Sequence, residues 1–199
     1  MILGLTGGMG CGKTTAARFF EEFGFGTIDS DAIVHDLQAH DREVIDAIAE
    51  RFGTEVLDER GGIHRKHLGA RVFKDEKELQ WLENLLHPLV AATWRGKVAR
   101  ETDRPWVVQI PLLFEKKLEQ SFNFTVCVGT SAENQRRRLL KKGFSDADIA
   151  RRISRQMPLH EKTARADFFL LNDGSLQFLR EQVEHLLREL NYINANLPN

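Results

Sequence analysis

Five glycines fall within residues 4–15, GLTGGMGCGKTT, and Lys13-Thr14-Thr15 stands directly behind the last of them. Glycine loses more conformational freedom on folding than any other residue, so a cluster of it marks backbone that bends sharply or approaches something closely. Gly7, four residues, then Gly12-Lys13-Thr14 satisfies G-x-x-x-x-G-K-[ST]. The context also fits. Ile2-Leu3-Gly4-Leu5 reads as a short buried strand, and Ala16, Phe19, Phe20 and Phe23 recur at helical spacing up to a stop at Gly24. A strand, loop and helix in this order turn successive N–H groups into an anion nest at a helix N-terminus. The expected ligand is a nucleoside triphosphate cradled by Gly8, Met9, Gly10, Cys11, Gly12, Lys13, Thr14 and Thr15. Lys13 would reach the β- and γ-phosphates and the Thr14 hydroxyl would bind Mg²⁺. The bland alternative is a glycine-rich turn that serves only packing.

The remaining elements follow from apolar patterning. Strands are expected at Gly26–Asp29, Trp106–Ile110 (closed by Pro111), Phe124–Gly129 and Phe168–Leu171. Helices are expected at about 32–38, at Arg42–Phe52 with Ile45, Ile48, Ala49 and Phe52 as its apolar stripe, and from about Glu76 to Leu86, stopped by Pro88. AENQRRRLLKKG is helical and ends at Gly143; SDADIARRISRQ opens on Ser145 and Asp148, a helix-start signal; a last helix covers 175–190. The closing NANLPN is expected to fray. Five apolar strands alternating with helices give an α/β fold, a parallel five-stranded sheet covered on both faces. The nearly all-helical span from about 30 to 100 is expected to layer over the sheet's C-terminal edge.

Composition narrows the function. The 199 residues carry a formal net charge of −1, so any phosphate or nucleic-acid site must be a local basic patch. Cys11 and Cys127 form no CxxC pair and suit neither a disulfide framework nor a zinc site; at Cys11 a small side chain that fits is expected rather than a reactive thiol. His35, His40, His64 and His67 lack metal-site company and read as surface or packing residues. MILGLTGG has no basic segment and does not read as a targeting peptide, and no apolar run approaches the roughly 18 residues that span a bilayer. A cytoplasmic protein is the expectation.

Neither a guanine-reading Asn-Lys-x-Asp nor a strand ending in Asp-Glu occurs, which disfavours GTPases and motor ATPases; Gln109 stands where the latter would want an acid. A small-metabolite kinase remains. Asp29-Ser30-Asp31 closes the second strand. If it stays extended, both carboxylates share one side, one for an acceptor hydroxyl and one for the metal shell; helix capping is the equal alternative. Arg136, Arg137, Arg138, Lys141, Lys142, Arg151, Arg152 and Arg155 form a basic hairpin, with Arg138 and Lys142, and Arg151 and Arg155, at same-face spacing. It would close over a triphosphate, or else be a solvated face or an RNA-binding strip.

These pieces, with IDSDAIVHDL, LHP (86–88), IPLLFE (110–115), RISRQMPLHEK (152–162) and ARADFFLLNDGS (164–175), make nearly the whole chain resemble the bacterial dephospho-coenzyme A kinases. The resemblance implies a P-loop kinase that uses ATP and Mg²⁺ to phosphorylate the ribose 3′-hydroxyl of dephospho-CoA. It implies one domain: a nucleotide core (about 1–29, 105–134, 164–190), a helical substrate-binding insertion (about 30–104) and a lid (about 135–163). It assigns Asp31 to the acceptor hydroxyl as candidate base, Arg138 to the lid's arginine, and Arg152 and Gln156 to the lid's second helix. The catalytic set is therefore Lys13, Asp31 and Arg138, with no nucleic-acid or membrane partner. Gln109, His64, Asn123 and Lys142 depart from the family pattern; Lys142 keeps an arginine's charge but not its bidentate geometry. Two other readings remain open: a P-loop kinase for another small alcohol, and an ATP-gated RNA-binding module.

Overall fold

β1 (Ile2–Gly7) runs through the middle of a five-stranded sheet, and the order of the strands around it decides where a ligand can bind. The computed structural model describes residues 1–192, so the expectation for NANLPN lies outside the described residues. Along the chain, β1 is followed by α1 (Lys13–Glu22), β2 (Gly26–Asp29), α2 (Ser30–His40), α3 (Arg42–Phe52), α4 (Arg65–Val72) and α5 (Glu76–Arg100). Then come β3 (Trp106–Gln109), β4 (Phe124–Gly129), α6 (Ala132–Lys141), α7 (Asp146–Ile153), α8 (Leu159–Arg165), β5 (Phe168–Leu171) and α9 (Leu176–Glu189). The sheet order is β2-β3-β1-β4-β5 and the strands are parallel. β1 pairs with β3 on one side (Leu5 opposite Gln109) and with β4 on the other (Leu5 opposite Val126). From β1 the chain goes to β2 at one edge, returns to β3 beside β1, and then crosses to β4 and β5 on the other side. The crevice beyond the strands' C-terminal ends at such a switch point is where α/β sheets bind ligands. The loop after β1 opens there.

The chain divides into two compact units, residues 1–28 with 102–199, and residues 29–101. In the first, Leu3, Leu5, Val107, Val126, Val128 and Leu170 from the strands pack with Ala16, Ala17 and Phe20 of α1 and Leu179, Val183 and Leu187 of α9. Strands buried this way need no polar alternation, which is why they read as continuous apolar runs. The second unit is helical. Val44, Ile45, Ile48 and Phe52 of α3 meet Leu68 and Val72 of α4 and Leu82 and Leu86 of α5.

Three expectations are corrected. α5 does not stop at Pro88; it continues to Arg100. An internal proline forfeits one helix hydrogen bond and costs about 3 kcal/mol. The spacing of buried Leu82, Leu86, Val90 and Trp94 carries one stripe across the proline. Burying Val90 and Trp94 contributes about 1.5–3 kcal/mol each, enough to offset the break. Asp29-Ser30-Asp31 does not stay extended, because α2 begins at Ser30 and the Asp29 carboxylate accepts the Asp31 N–H at 2.9 Å. Finally, α7 ends at Ile153 and α6 at Lys141, so Arg155 and Lys142 do not continue the helical faces of Arg151 and Arg138. α4 and α8, each eight residues or fewer, were not legible from periodicity.

Candidate active site

Among the described residues, seven helices (α2 to α7, and α9) begin under a side-chain acceptor that satisfies a first-turn N–H. α1 begins on Gly12 with no side-chain cap and no acidic residue in its first turn. The orphan N–H groups and positive dipole end of α1 are left for something anionic. Gly12 sits at φ 97°, ψ 29°, left-handed backbone that strains any other residue. It also has no room for a side chain, since a Cβ there would run into the Asn172 amide. The Lys13 ammonium folds back along the loop and donates to Gly7 O (3.0 Å) and Gly8 O (3.2 Å). Thr14 is exposed in the first turn of α1. A concave, uncapped loop with a cation and a free-facing hydroxyl fits nucleotide phosphates and one hard metal ion.

Arg138, on α6, is the residue of the basic hairpin that reaches this loop. Its Nη2 donates to Asn172 O at 2.7 Å. Its Nη1 is buried without a hydrogen-bond partner and lies 3.9 Å from where a Gly12 Cβ would stand. A buried guanidinium N–H with no acceptor is costly in a finished site and useful in one awaiting an anion. The neighbouring charges are engaged elsewhere. Arg136 forms a forked pair with Asp146 (both contacts 2.7 Å), Arg151 pairs with Asp148, and Arg152 lies over the Phe144 ring at 5.1 Å. Gln156 does reach the loop, accepting the Met9 N–H at 3.2 Å.

The structure thus gathers Lys13, Thr14, Arg138 and Gln156 in the first unit. Asp31 belongs to the second unit, in the first turn of α2 immediately after β2. Cys11 is fully buried beneath the loop and burial pushes its thiol up, with the Lys13 charge opposing; Cys127 is pushed up to about 11 by the same cause. Both thiols are inert packing groups at neutral pH. His64 caps α4 and stacks on His67, their ring centroids 3.8 Å apart, and His40 meets Asp36 at 2.9 Å.

Two features escaped the sequence. Asp173, after β5, accepts from the Thr130 hydroxyl, Ser131 N (2.8 Å), Ser131 Oγ (3.1 Å) and Asn134 Nδ2 (2.9 Å), pinning the start of α6. These donors, the Thr130 hydroxyl first, hold its carboxyl far below the usual carboxylate range. Lys162 is fully buried, with its ammonium 2.8 Å from Glu115 Oε1 and donating to Pro111 O at 2.6 Å. Both lie in stretches already noted for their pattern, NDGS and HEK, but neither has a spacing that announces its partner.

Comparison with known proteins bears on the whole chain. A family model described as dephospho-CoA kinase matches residues 1–177. A dephospho-CoA kinase from Lactobacillus johnsonii is 36% identical over 193 residues, covering 95% of this chain and 98% of that protein. The crystal structure of TT1252 from Thermus thermophilus superposes with a TM-score of 0.83 at 31% identity, covering 96% of this chain and 97% of that one. The dephospho-CoA kinase from Campylobacter jejuni shares the fold with a TM-score of 0.71 at 24% identity, over 97% and 98% of the two chains.

Proposed function

The chain belongs to the dephospho-CoA kinase family, which catalyses the final step of coenzyme A biosynthesis, and from that membership we infer how its own residues divide the work. It is an ATP-dependent kinase that phosphorylates the ribose 3′-hydroxyl of dephospho-CoA. The observation that carries the division of labour is the uncapped, glycine-led start of α1, with Lys13 and Arg138 both against its loop.

The loop from Gly8 to Thr15 holds the triphosphate through N–H groups other than those of Met9, Cys11 and Thr15, which the protein itself engages. Lys13 leaves the Gly7 and Gly8 carbonyls for the β- and γ-phosphates. The unpartnered Nη1 of Arg138 meets charge that develops on the transferring phosphoryl group. Thr14 would hold Mg²⁺, which supplies charge neutralisation across the phosphates. Asp31 acts on the acceptor side, taking the proton of the 3′-hydroxyl or orienting it. Asp29 serves as the α2 cap by accepting the Asp31 N–H, and the acceptor role goes to Asp31 on the family resemblance of the IDSDAIVHDL segment. Residues 29–101 bind parts of dephospho-CoA remote from the reacting oxygen, so binding energy realised there orients the hydroxyl.

The experiment is ATP consumption measured in parallel with dephospho-CoA, adenosine, AMP and shikimate, with the phosphorylated position mapped. Dephospho-CoA should be converted at its 3′ position and adenosine should be a very poor acceptor in both kcat and KM. Comparable kcat/KM for all acceptors, or phosphate found elsewhere on the ribose, overturns this reading.

A further inference from the structure

One face of α6 rests on the phosphate loop. Gln135, Arg138 and Leu139 share that face at i, i+3 and i+4. A Cβ on Gly8 would stand 3.1 Å from Gln135 Nε2, one on Gly10 would stand 3.0 Å from Leu139 Cγ, and one on Gly12 would stand 3.9 Å from Arg138 Nη1. Gly8 and Gly10 therefore each leave clearance for one α6 side chain, while at Gly12 the room is taken by the Asn172 amide, with Arg138 in ordinary contact beside it.

Within this contact, both polar backbone groups of Met9 are taken by glutamines. Gln135 Nε2 donates to Met9 O at 2.7 Å, and the Met9 N–H donates to Gln156 Oε1 at 3.2 Å. The two glutamines come from opposite ends of the α6–α7 hairpin, and each is anchored to the core. Asp173 pins the first turn of α6 ahead of Gln135. The next N–H after Gln156, that of Met157, donates to Glu115 Oε1 at 2.9 Å, and Glu115 is held by buried Lys162 at 2.8 Å. Carboxamides suit the position because they supply a donor and an acceptor without net charge. A carboxylate there would repel a polyanion and an ammonium would compete with Lys13.

We infer that Gln135 and Gln156 are positioning residues for ATP, a two-sided clamp on Met9 that locks the phosphate loop to the hairpin carrying Arg138. The inference rests on the ATP-binding role given to the loop above. The clamp fixes the direction of the loop's N–H groups and, through the shared face of α6, the place of the Arg138 guanidinium. Its loss releases both together. ATP affinity and kcat should fall, while the acceptor's KM, which depends on other residues, should not.

The test is calorimetric titration of ATP into the full-length protein and into Gln135→Met, Gln156→Met and the double variant, which keep side-chain volume and remove the polar groups. Thermal melts and the KM for dephospho-CoA are measured alongside. Each single variant should bind ATP about three- to tenfold more weakly, the worth of one intramolecular hydrogen bond. The double variant should lose less than the product of the two, because both act through Met9. KM for dephospho-CoA should stay within about twofold. In Gln135→Glu an ionised carboxylate would face Met9 O, and its ATP deficit relative to Gln135→Met should shrink as pH falls toward the carboxyl range and a donor returns. If Gln135→Met does not fold, Gln156→Met decides alone, since it lies past the end of α7 and interrupts no helix. Wild-type ATP affinity in a folded variant, or a parallel loss of ATP and acceptor affinity, overturns the clamp. ATP binding needs no acceptor. A wild-type protein that binds ATP yet leaves dephospho-CoA unphosphorylated would overturn the proposed function and leave the clamp standing.

Discussion

Replacing Arg138 with alanine should separate catalysis from stability, and the structure gives both magnitudes. In the folded protein Arg138 Nη2 makes one short hydrogen bond, to Asn172 O at 2.7 Å. The Thr130 hydroxyl, whose single proton goes to Asp173, lies 3.1 Å from that oxygen and can share its proton with it when the arginine is gone. The stability lost is one hydrogen bond's net worth, about 0.5–1.5 kcal/mol. It is offset in part by removing the buried Nη1, which has no partner among the described residues. For a chain of this size the melting temperature should drop by about 1–6 °C. On the catalytic side, a preorganised donor aimed at developing charge is worth about 10²–10³ in kcat, or about 2.7–4 kcal/mol. Activity therefore falls by far more than stability does. The assay is steady-state phosphorylation of dephospho-CoA at saturating ATP, with a thermal melt of the same sample. Arg138→Lys should recover only part of the loss, because an ammonium lacks the planar fork that spans Asn172 O and a phosphate oxygen together. A kcat within about threefold of wild type, or a melting temperature lowered in step with activity by well over 10 °C, would refute the reasoning and mark Arg138 as structural.

Lys13→Met should cut phosphoryl transfer more than about a hundredfold in a protein that still folds, since the Lys13 ammonium lies on the phosphate loop, against the Gly7 and Gly8 carbonyls, and not in the apolar core; undiminished turnover in a folded variant would sink the phosphate-cradle assignment. Asp31→Asn should lower kcat far more than the acceptor's KM while barely moving stability, because Asp29, not Asp31, caps α2. Near-wild-type kcat would leave Asp31 as a first-turn helix acid and nothing more. Asp173→Ala should lower the melting temperature at neutral pH by removing the pin on α6. The Asp173 carboxyl is depressed in the folded state, so its contribution is present above the unfolded value of about 3.9 and lost as pH falls through the folded one. The gap between wild type and Asp173→Ala in melts run across pH should therefore close in acid; a gap that persists unchanged to strongly acidic pH would mean the carboxylate's charge is not what holds α6.

Where sequence reading succeeded and failed follows from the reach of each interaction. The bounds of β4 (Phe124–Gly129) are legible because a buried parallel strand is a nearly unbroken apolar run. Those of β2 (Gly26–Asp29), which alternates in burial, and β5 (Phe168–Leu171), which exposes Phe169 and Leu171, come instead from the turn residues that flank them. α5 runs past the point the sequence suggests because proline is a local signal, whereas the stripe that outweighs it needs tertiary burial at Val90 and Trp94. Sequence alone does not separate capping from catalysis at Asp29 and Asp31, because both select the same residue type at the same place, and the Asp31 N–H contact is what assigns Asp29 to the cap. Gln135 and Asn172 are the least legible, and Gln156 is reached only through the family resemblance. Each is a neutral amide whose partner is a loop backbone group 126, 147 or 161 residues away, so neither charge, nor periodicity, nor spacing marks it.

The glycines of the loop show why such a motif is easy to read and easy to under-read. Left-handed backbone at Gly10 (φ 77°) and Gly12 (φ 97°) lets N–H groups converge on an anion, and that requirement alone accounts for the pattern in the sequence. Yet Leu139 presses on Gly10 and the Asn172 amide occupies the space beside Gly12, so the fold would exclude side chains there even without a ligand. Two constraints, one from phosphate chemistry and one from the packing of α6 and the turn after β5, converge on the same absent Cβ. The packing constraint is what places Arg138 against the loop before any nucleotide arrives. A loop selected for phosphate alone would not need Gln135, Leu139 and Asn172 seated on it; their presence ties the cradle to the hairpin as one preorganised element, which is the condition electrostatic catalysis requires.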